Sequence, residues 1–141
     1  MNRIAYRRTR RLQLDQVETL WRAVGWWTDE GNPTLLPEAL AHSHAVVSAW
    51  EQDALVGVGN AISDHHLVVY YPYIVVHPDY QRQGIGSEIV RRLQARYSAF
   101  RQQVLLSNET AVGFYERLGF SLSRAPGMQR ETFSLPAGPE A

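Results

Sequence analysis

Apolar residues at intervals of three and four positions predict helices at four places along the chain. The first apolar stripe consists of Val17, Leu20, Trp21 and Val24. Asp15 and Glu18 have the spacing of a capping box at the start of this helix, and Gly25 is typical of the position just past a helix end. A shorter second helix is predicted at residues 37–42, where a proline suits the first turn. The third and fourth stripes lie in the second half of the chain, next to glycine-containing segments.

Short runs of apolar residues, alternating or continuous, predict strands between these helices. The runs cover residues 4–8, 46–51, 55–61, 67–76 and 104–106. The second and third runs are separated by Gln52-Asp53-Ala54 and predict a hairpin. The fourth run contains Pro72, which has no N–H for a ladder hydrogen bond and therefore predicts a bulge or an unpaired edge. Two further strands are expected, one starting at Phe120 and one at residues 130–135, before a tail at residues 136–141.

Length and composition indicate one globular domain, which we place at residues 1–135. Of the 141 residues, 45% are hydrophobic and 20% are charged, and the formal net charge is zero. A neutral chain has no overall field that attracts nucleic acid or an anionic membrane, so neither partner is expected. No apolar run approaches the ~20 residues that span a bilayer, and the first residues lack a secretory apolar core. A cytoplasmic location is therefore expected.

Residue usage excludes several kinds of chemistry. The chain contains no cysteine, so it has neither disulfides nor a catalytic thiol. No spacing of the five histidines indicates a zinc site, and the carboxylates show no calcium loop, so no metal is expected. All fourteen basic residues are arginine, and five lie in the first eleven positions: Arg3, Arg7, Arg8, Arg10 and Arg11. Such a cluster fits a nucleic-acid-binding arm or a solvated strand face, and the zero net charge favours the strand face.

The most informative segment joins a buried strand to a helix through two glycines. It runs from Ile74 to Ser87 and reads Ile-Val-Val-His-Pro-Asp-Tyr-Gln-Arg-Gln-Gly-Ile-Gly-Ser. Gly84 and Gly86 have no Cβ, so backbone amides here can approach a ligand closely. These amides lie at a helix N-terminus, where unpaired N–H groups and the helix dipole favour an anion, and Arg82 adds a positive charge. The segment therefore predicts a pyrophosphate-binding loop.

Three kinds of phosphate-binding loop have this general appearance. A Walker loop requires Gly-Lys-Ser/Thr at its end, and the chain contains no lysine. The dinucleotide-binding fingerprint requires a third glycine, where Ile89 stands. What remains is Gln-x-x-Gly-x-Gly after the strand, with Gln81, Gly84 and Gly86. This resembles the coenzyme A loop of the GNAT superfamily of N-acetyltransferases. An ordinary glycine-containing strand-to-helix turn is the alternative interpretation.

A second segment resembles another signature of the same superfamily. Residues 108–120 match Asn-x-x-Ala-x-x-Phe-Tyr-x-x-Leu-Gly-Phe at every position. Thr110 is predicted to cap the helix, and Gly119 to end it in a left-handed conformation. Phe114 and Leu118 fit a core stripe at helical spacing. Together with the chain between them, the two motifs span about a third of the sequence.

The resemblance implies an α/β (α+β) fold around one central sheet, which is twisted, mixed and mostly antiparallel. Six to seven strands are expected, flanked by about four helices, with a V-shaped splay between the fourth and fifth strands. A bulge in the fourth strand opens this splay in the family, and Pro72 is suitably placed to produce it.

The resemblance also implies transfer of an acetyl group from acetyl-coenzyme A directly to a primary amine of a small molecule or a protein, without a metal. The implied coenzyme-binding residues are Ile74, Val75, Val76, Gln81, Arg82, Gln83, Gly84, Ile85, Gly86, Ser87 and Asn108. Backbone amides of residues 82–87 would hold the pyrophosphate, and the backbone of residues 74–76 would pair with the pantetheine arm. A cap at the start of its helix is the alternative role for Asn108. Tyr115 is implied as the catalytic residue that protonates the departing thiolate.

The sequence leaves the base that deprotonates the amine open. Tyr73 stands where many relatives have a carboxylate, and Gln103 stands where some have a glutamate. The candidates that remain are Asp64, His65, His66 and Glu109, or a chain of water molecules. The lack of a carboxylate at Tyr73 also supports a different hypothesis, an inactive coenzyme-binding sensor or interaction module of the same fold.

Two kinds of partner are expected. Trp26, Trp27, His65 and Tyr73 are predicted to contact the acceptor amine, since aromatic walls suit an apolar or cationic group. Core packing is the alternative for the tryptophans. A homodimer is also expected, because the apolar residues 68–71 and 128–133 offer uncovered strand edges.

Overall fold

Six strands and four α-helices form the part of the chain that the computed structural model describes, residues 3–27 and 31–130. The strands are β1 (Ile4–Arg7), β2 (Ala45–Glu51), β3 (Ala54–Ser63), β4 (Val68–Tyr70), β5 (Ile74–Val76) and β6 (Gln102–Val104). The helices are α1 (Leu14–Ala23), α2 (Leu35–Ala41), α3 (Ile85–Arg96) and α4 (Val112–Glu116), with 3₁₀ turns at Pro78–Tyr80 and Glu109–Ala111. Over these residues, none of the helices has the length and hydrophobicity needed to cross a bilayer.

The strands form one mixed sheet with the order β1-β2-β3-β4-β6, and β5 pairs with β3. Every pair is antiparallel except β4 with β6. This mostly antiparallel sheet with its flanking helices confirms the predicted fold class. Because β4 lies between β3 and β6, the prediction that residues 68–71 form an uncovered strand edge is wrong. In the described part of the chain, the sheet ends at β6 on this side.

The predicted fourth strand is interrupted at residues 71–73, in agreement with the expectation for Pro72. β4 pairs with the end of β3, whereas β5 pairs with its middle at residues 57–59. The buried Asn60 bridges the interruption, because its Oδ1 accepts the N–H of Tyr73 at 3.0 Å. β6 pairs with β4 alone, and no described strand pairs with the outer edge of β5. The sheet therefore opens between β5 and the chain that follows β6.

Alternate residues of the sheet belong to two separate cores, one on each face. One core lies beneath α3, and the other lies beneath α1 and α2. In β5, Ile74 and Val76 belong to the core beneath α3, whereas Val75 belongs to the core beneath α1. Ile89 and Leu93 of α3 are 0% and 1% exposed. Burial of each such side chain contributes about 1.5–3 kcal/mol, so α3 is firmly fixed on the sheet.

The starts of α1 and α2 differ from the sequence predictions. α1 begins at Leu14, and no side chain caps it. Glu18 instead forms an ion pair with Arg22 at 2.7 Å, so the predicted capping box is wrong. Gly25 has φ +79°, which confirms the predicted helix end. α2 covers Leu35–Ala41 and so begins before the predicted proline.

The second motif forms less helix than predicted. A 3₁₀ turn precedes α4, and the side chain that caps this turn is that of Asn108, not Thr110. Asn108 Oδ1 accepts the N–H of Ala111 at 2.9 Å, while Thr110 donates its hydroxyl to the same oxygen. Gly119 has φ +95°, which confirms the left-handed helix end.

The strands of the last third also differ from the predictions. β6 lies two residues earlier than the predicted strand at 104–106. Phe120 packs against the core beneath α3 but starts no strand, and residues 120–130 contain none. The predicted strand at 130–135 lies outside the described residues beyond Arg130, as does the tail at 136–141.

Candidate active site

The start of α3 gathers unpaired backbone N–H groups. Gly84 precedes the helix with φ +83°, and a Cβ at this position would meet no atom within 4 Å. The first intrahelical hydrogen bond runs from Glu88 N–H to Gly84 O, so the amides of residues 85–87 have no acceptor four residues earlier. Arg82, also at positive φ, is exposed in the preceding loop. Because the N-terminal end of a helix carries partial positive charge, this segment suits a phosphate group.

The edge of β5 that borders the splay carries unpaired backbone groups. Tyr73 O and His77 N–H bond to β3 at 3.1 and 2.9 Å. The alternation of an antiparallel ladder therefore directs the N–H and C=O groups of Ile74 and Val76 away from β3. Val76 O accepts a hydrogen bond from Gln81 Nε2 at 3.0 Å, which ties the loop to the end of the strand. The remaining groups of this edge are available to an extended ligand.

These two features fit coenzyme A. Its pyrophosphate requires several N–H donors, and its amide-containing arm requires an open strand edge. The first turn of α3 and the edge of β5 supply both, and Ile74, Val76 and Ile85 belong to one core. Val75 is the exception among the predicted residues, because its backbone pairs with Val58 of β3. Gln83 is exposed in the loop.

Tyr115 lies in α4 and packs, half-buried, against the core beneath α3. The rings of Phe114 and Phe120 contact its ring at centroid distances of 4.9 and 6.0 Å. Burial raises the pKa of the Tyr115 hydroxyl to about 12, so this group keeps its proton at neutral pH. No described residue accepts a hydrogen bond from it, so the hydroxyl can donate to a bound molecule.

On the opposite face of the sheet, aromatic side chains cluster beside the interruption of the strand. The ring centroid of Tyr73 lies 5.7 Å from that of Trp21 and 6.3 Å from that of Trp26. Trp27 packs against the same core. The indole N–H groups of Trp26 and Trp27 are buried and meet no acceptor among the described residues. Since buried donors are normally paired, these two are suited to a bound molecule.

The structure thus brings together Trp26, Trp27 and Tyr73, three of the four predicted acceptor contacts. Trp21 also belongs to this cluster. Sequence reasoning assigned it to the core stripe of α1 and missed its contact with Tyr73. Its signal in the sequence was its size, since it is the largest residue of that stripe.

Asp64 is a turn residue and not a base. Its Oδ1 accepts the backbone N–H groups of His66, Leu67 and Val68 at 2.9, 2.8 and 3.1 Å. These hydrogen bonds lower the pKa of the carboxyl to about 2. A carboxylate with so low a pKa is a very weak base at neutral pH, so Asp64 is removed from the candidates.

His65 does not join the aromatic cluster. It has φ +75° in the turn between β3 and β4, and its ring centroid lies 3.9 Å from that of His44. His44 Nδ1 in turn lies 2.7 Å from the hydroxyl of Tyr97, which belongs to the core beneath α3. His65 therefore sits at the α3 face of the sheet, whereas Trp26 and Tyr73 sit at the α1 face. His66 and Glu109 are exposed.

Gln103, which stands where some relatives have a glutamate, has a structural role. Its Oε1 accepts the hydroxyl of Tyr71 at 2.7 Å, and its Nε2 donates to Tyr97 O at 3.1 Å. Within residues 3–27 and 31–130, no group of three or more histidine and acidic side chains is arranged to hold a metal ion.

Comparison with known proteins identifies the family. The family model of the acetyltransferase (GNAT) domain matches residues 42–122. The N-acetyltransferase ycf52 of Porphyra purpurea, itself uncharacterized, is 29% identical over 118 residues. This match covers 79% of the chain and 67% of the relative, so the chain spans about two-thirds of the length of that protein.

Solved structures agree with this assignment. A GNAT family acetyltransferase from Streptococcus pneumoniae has a TM-score of 0.73 and 29% identity, covering 92% of this chain and all 100% of its own. AAC(6')-Iy, solved with a bisubstrate analogue of coenzyme A and acetylneamine, has a TM-score of 0.72 and 15% identity, covering 93% of this chain and 99% of its own. At this identity, the second likeness concerns the fold alone.

Proposed function

Because the chain belongs to the GNAT acetyltransferase family, we propose that it transfers an acetyl group from acetyl-coenzyme A to a primary amine of a small molecule or a protein. The observation that carries this proposal is the combination, on one face of the sheet, of the amide-rich start of α3 with the open edge of β5. A helix start alone suits any phosphate. The adjoining strand edge adds a place for an extended arm with amide groups, which coenzyme A possesses.

In this proposal the chain holds the coenzyme mainly through its backbone. The N–H groups of residues 84–87, with Arg82, bind the pyrophosphate. The backbone groups of Ile74 and Val76 pair with the pantetheine amides as an added strand would. When bound, acetyl-coenzyme A supplies an acetyl group activated as a thioester. Membership of the acetyltransferase (GNAT) family supports this choice of coenzyme.

The side chain that assists the chemistry in this proposal is Tyr115. The amine nitrogen attacks the acetyl carbon, and the carbon–sulfur bond breaks as the amide forms. The Tyr115 hydroxyl, still protonated because of its raised pKa, donates to the sulfur on which negative charge develops. The splay fixes the amine and the thioester in one place, which lowers the entropic part of the barrier.

The acceptor binds, in this proposal, among Trp26, Trp27 and Tyr73 on the α1 face. Their rings suit an amine with an apolar or cationic body, and the two unpaired indole N–H groups suit an acceptor oxygen on it. Of the candidate bases, Asp64 has its carboxylate bonded to three backbone amides, and His65 rests on His44. We therefore assign the removal of the ammonium proton to water that leads to bulk solvent.

The decisive experiment is an acceptor screen. The protein is incubated with acetyl-coenzyme A and a library of primary amines and peptides, and the release of free thiol is followed with a thiol reagent. Mass spectrometry then checks that the product carries an acetyl group. Thiol release that depends on an amine supports the proposal, whereas tight coenzyme binding without turnover for any amine contradicts it.

The second outcome would favour the alternative, an inactive coenzyme-binding sensor of the same fold. One observation supports this alternative. Gln103 is held by hydrogen bonds to Tyr71 and Tyr97, and Tyr73 packs among tryptophans. Both side chains that replace a carboxylate of relatives are thus engaged in packing or structure.

We also propose that the protein forms a homodimer. Large apolar side chains remain exposed on and beside β4 and β6: Leu67, Val68, Tyr70, Val104 and Leu106. An exposed apolar patch of this kind often marks an interface. Light scattering at micromolar concentration is expected to return twice the monomer mass of 16.0 kDa. The monomer mass alone would refute the dimer.

A further inference from the structure

A groove outside the coenzyme and acceptor sites lies between the β1–β2 side of the sheet and the second half of α3. It has a volume of about 710 Å³. Its polar lining consists of Arg8, Arg10, His44, His65, Arg92 and Arg96, and no acidic residue lines it. Four arginines around one cavity are a strong local concentration of positive charge in a chain of zero net charge.

The arginines of the groove differ in how far they are engaged elsewhere. Arg92 forms an ion pair with Glu88 at 2.7 Å and lies over the ring of Tyr6. Arg10 donates to Ser43 O at 3.1 Å. The side chains of Arg8 and Arg96 make no hydrogen bond or ion pair with any residue in the described part of the chain. At least two guanidinium groups are therefore available to a ligand.

The two histidines form a wall of the groove that is held in place. His65 has φ +75°, a conformation that is costly for a residue with a side chain. The turn enforces it, because Ser63 Oγ accepts the His65 N–H at 2.9 Å and Asp64 accepts the next three amides. As a result, the His65 ring rests on His44, which is fixed by Tyr97. Strain of this kind is often found where a side chain is positioned for a ligand.

Besides burial, the positive charge of the groove also lowers the pKa of His44. Its pKa is lowered by burial first, and then by the charges of His65, Arg96 and Arg10. The positive groups therefore repel one another in the free protein. An anion between them would relieve this repulsion, and no carboxylate of the groove does so.

We propose that this groove binds a small molecule that carries several negative charges on phosphate groups, at a site separate from the pyrophosphate loop. Guanidinium groups match phosphate oxygens with paired hydrogen bonds, and several of them converge here. The volume is that of a site for a molecule up to nucleotide size. The inference does not depend on acetyl transfer.

The test compares three variants in titrations with inorganic tripolyphosphate and with ATP. Arg8→Gln/Arg96→Gln removes the two available guanidinium groups of the groove. Arg82→Gln weakens the pyrophosphate loop, and Arg91→Gln removes an exposed arginine of α3 that lines neither site. Calorimetry gives the affinities, and NMR signals of the His44 and His65 rings show where the anion binds. All of these residues are exposed, so folding is expected to be retained.

Tripolyphosphate is expected to shift the ring signals of both histidines in the wild type, in Arg82→Gln and in Arg91→Gln. The double variant should weaken this binding by about tenfold or more for each arginine removed, while its affinity for coenzyme A is unchanged. Absent histidine shifts, or equal weakening in Arg91→Gln, would overturn the proposal. Binding of a single-stranded RNA without binding of tripolyphosphate or ATP would overturn it as well.

Discussion

The hydroxyl of Tyr115 has the protonation state that its proposed role requires, but a limited capacity to give its proton away. Burial raises its pKa to about 12, whereas an ordinary thiol has a pKa of about 8.5. Complete transfer of the proton to a free thiolate is therefore uphill. We infer that Tyr115 acts mainly by a hydrogen bond to sulfur as the charge develops, with water completing the protonation.

Tyr115→Phe tests this role, because it removes only the oxygen and keeps the ring between Phe114 and Phe120. We expect kcat to fall by about 10²–10⁴-fold, with little change in coenzyme affinity. Steady-state kinetics and calorimetry measure the two effects. Tyr6→Phe in β1 is the matched control and should keep full turnover. Wild-type turnover in Tyr115→Phe would show that the departing sulfur needs no hydrogen bond from Tyr115.

Asp64→Ala tests the structural role of Asp64 in the turn between β3 and β4. The variant removes the oxygen that accepts three backbone N–H groups, so a lower Tm is expected at pH 7. The folded-state pKa of about 2 lies below the ordinary 3.8. The stabilisation is therefore complete above about pH 5 and is lost as the pH falls through 2.

Thermal unfolding across this pH range checks the prediction. The difference in Tm between the wild type and Asp64→Ala should be constant from pH 7 to about 5 and should shrink towards pH 2. Asp53→Ala, in the turn between β2 and β3, removes an exposed carboxylate from another turn as a control. A difference that does not change with pH would contradict the assignment.

At the scale of elements, α3 combines a first turn of unpaired backbone amides with a tightly packed body. Its first turn presents free amides, while Ile89 and Leu93 further along are fully buried against β3. The position of the amides is therefore set by the packing of the helix on the sheet. A substitution in the first turn is therefore expected to change ligand affinity, whereas one in the contact with β3 is expected to change stability.

Gly86→Glu changes the first turn of α3. A bulky negative side chain would occupy the place of the pyrophosphate, so both sterics and charge oppose binding. We expect the affinity for acetyl-coenzyme A to fall by about 100-fold in calorimetry, with the circular dichroism of a folded protein. Ser98→Glu, which adds the same charge beyond the other end of α3, should bind normally. Unchanged affinity in a folded Gly86→Glu protein would remove the phosphate-loop interpretation.

Gly59→Ala changes the body of the contact between α3 and β3. A Cβ at Gly59 would overlap Ile89 Cγ2 and lie 3.0 Å from Ile74 Cδ1. Overpacking of a core costs about 1–3 kcal/mol, so urea unfolding should show a loss of this size. Gly113→Ala is the control, since its Cβ would meet only Arg117 at 3.7 Å. Equal stability of both variants would mean that α3 can move away from the sheet.

At the scale of the whole molecule, the sheet separates the two proposed partners. The coenzyme residues belong to the α3 face, and the acceptor residues belong to the α1 face. The splay between β5 and the chain after β6 is the opening that joins the two faces. A transfer reaction across a sheet requires such an opening, whereas simple binding of a coenzyme does not.

The fold class and the glycine-containing turn into α3 could be predicted because their signals are local. Gly84 and Gly86 lie eight and ten residues after the end of β5, within one short segment, and Pro72 marks the interruption by its own chemistry. The sequence left the cap of the second motif open between Thr110 and Asn108, because both are good caps in sequence, and the structure assigns it to Asn108. Only the backbone path decides between them.

The groove and the roles of His65 and Gln103 could not be predicted, because they depend on contacts between distant residues. His44 meets Tyr97 across 53 positions, and Tyr71 meets Gln103 across 32. Such contacts follow from strand order and register, which an apolar pattern leaves open. Arg8 and Arg10 line one groove with Arg92 and Arg96 only because α3 lies beside the end of β1, and the sequence does not show this placement.

The interruption at residues 71–73 also determines how many residues must separate β4 from β5. Side chains and backbone groups of a strand alternate strictly, so one residue more or less reverses both. Deletion of Pro72 would turn Val75 towards α3 and would point the N–H groups of Ile74 and Val76 at β3. Which backbone groups β5 leaves unpaired thus depends on whether the number of residues before it is odd or even. At this point in the chain, the number of residues matters more than their identity.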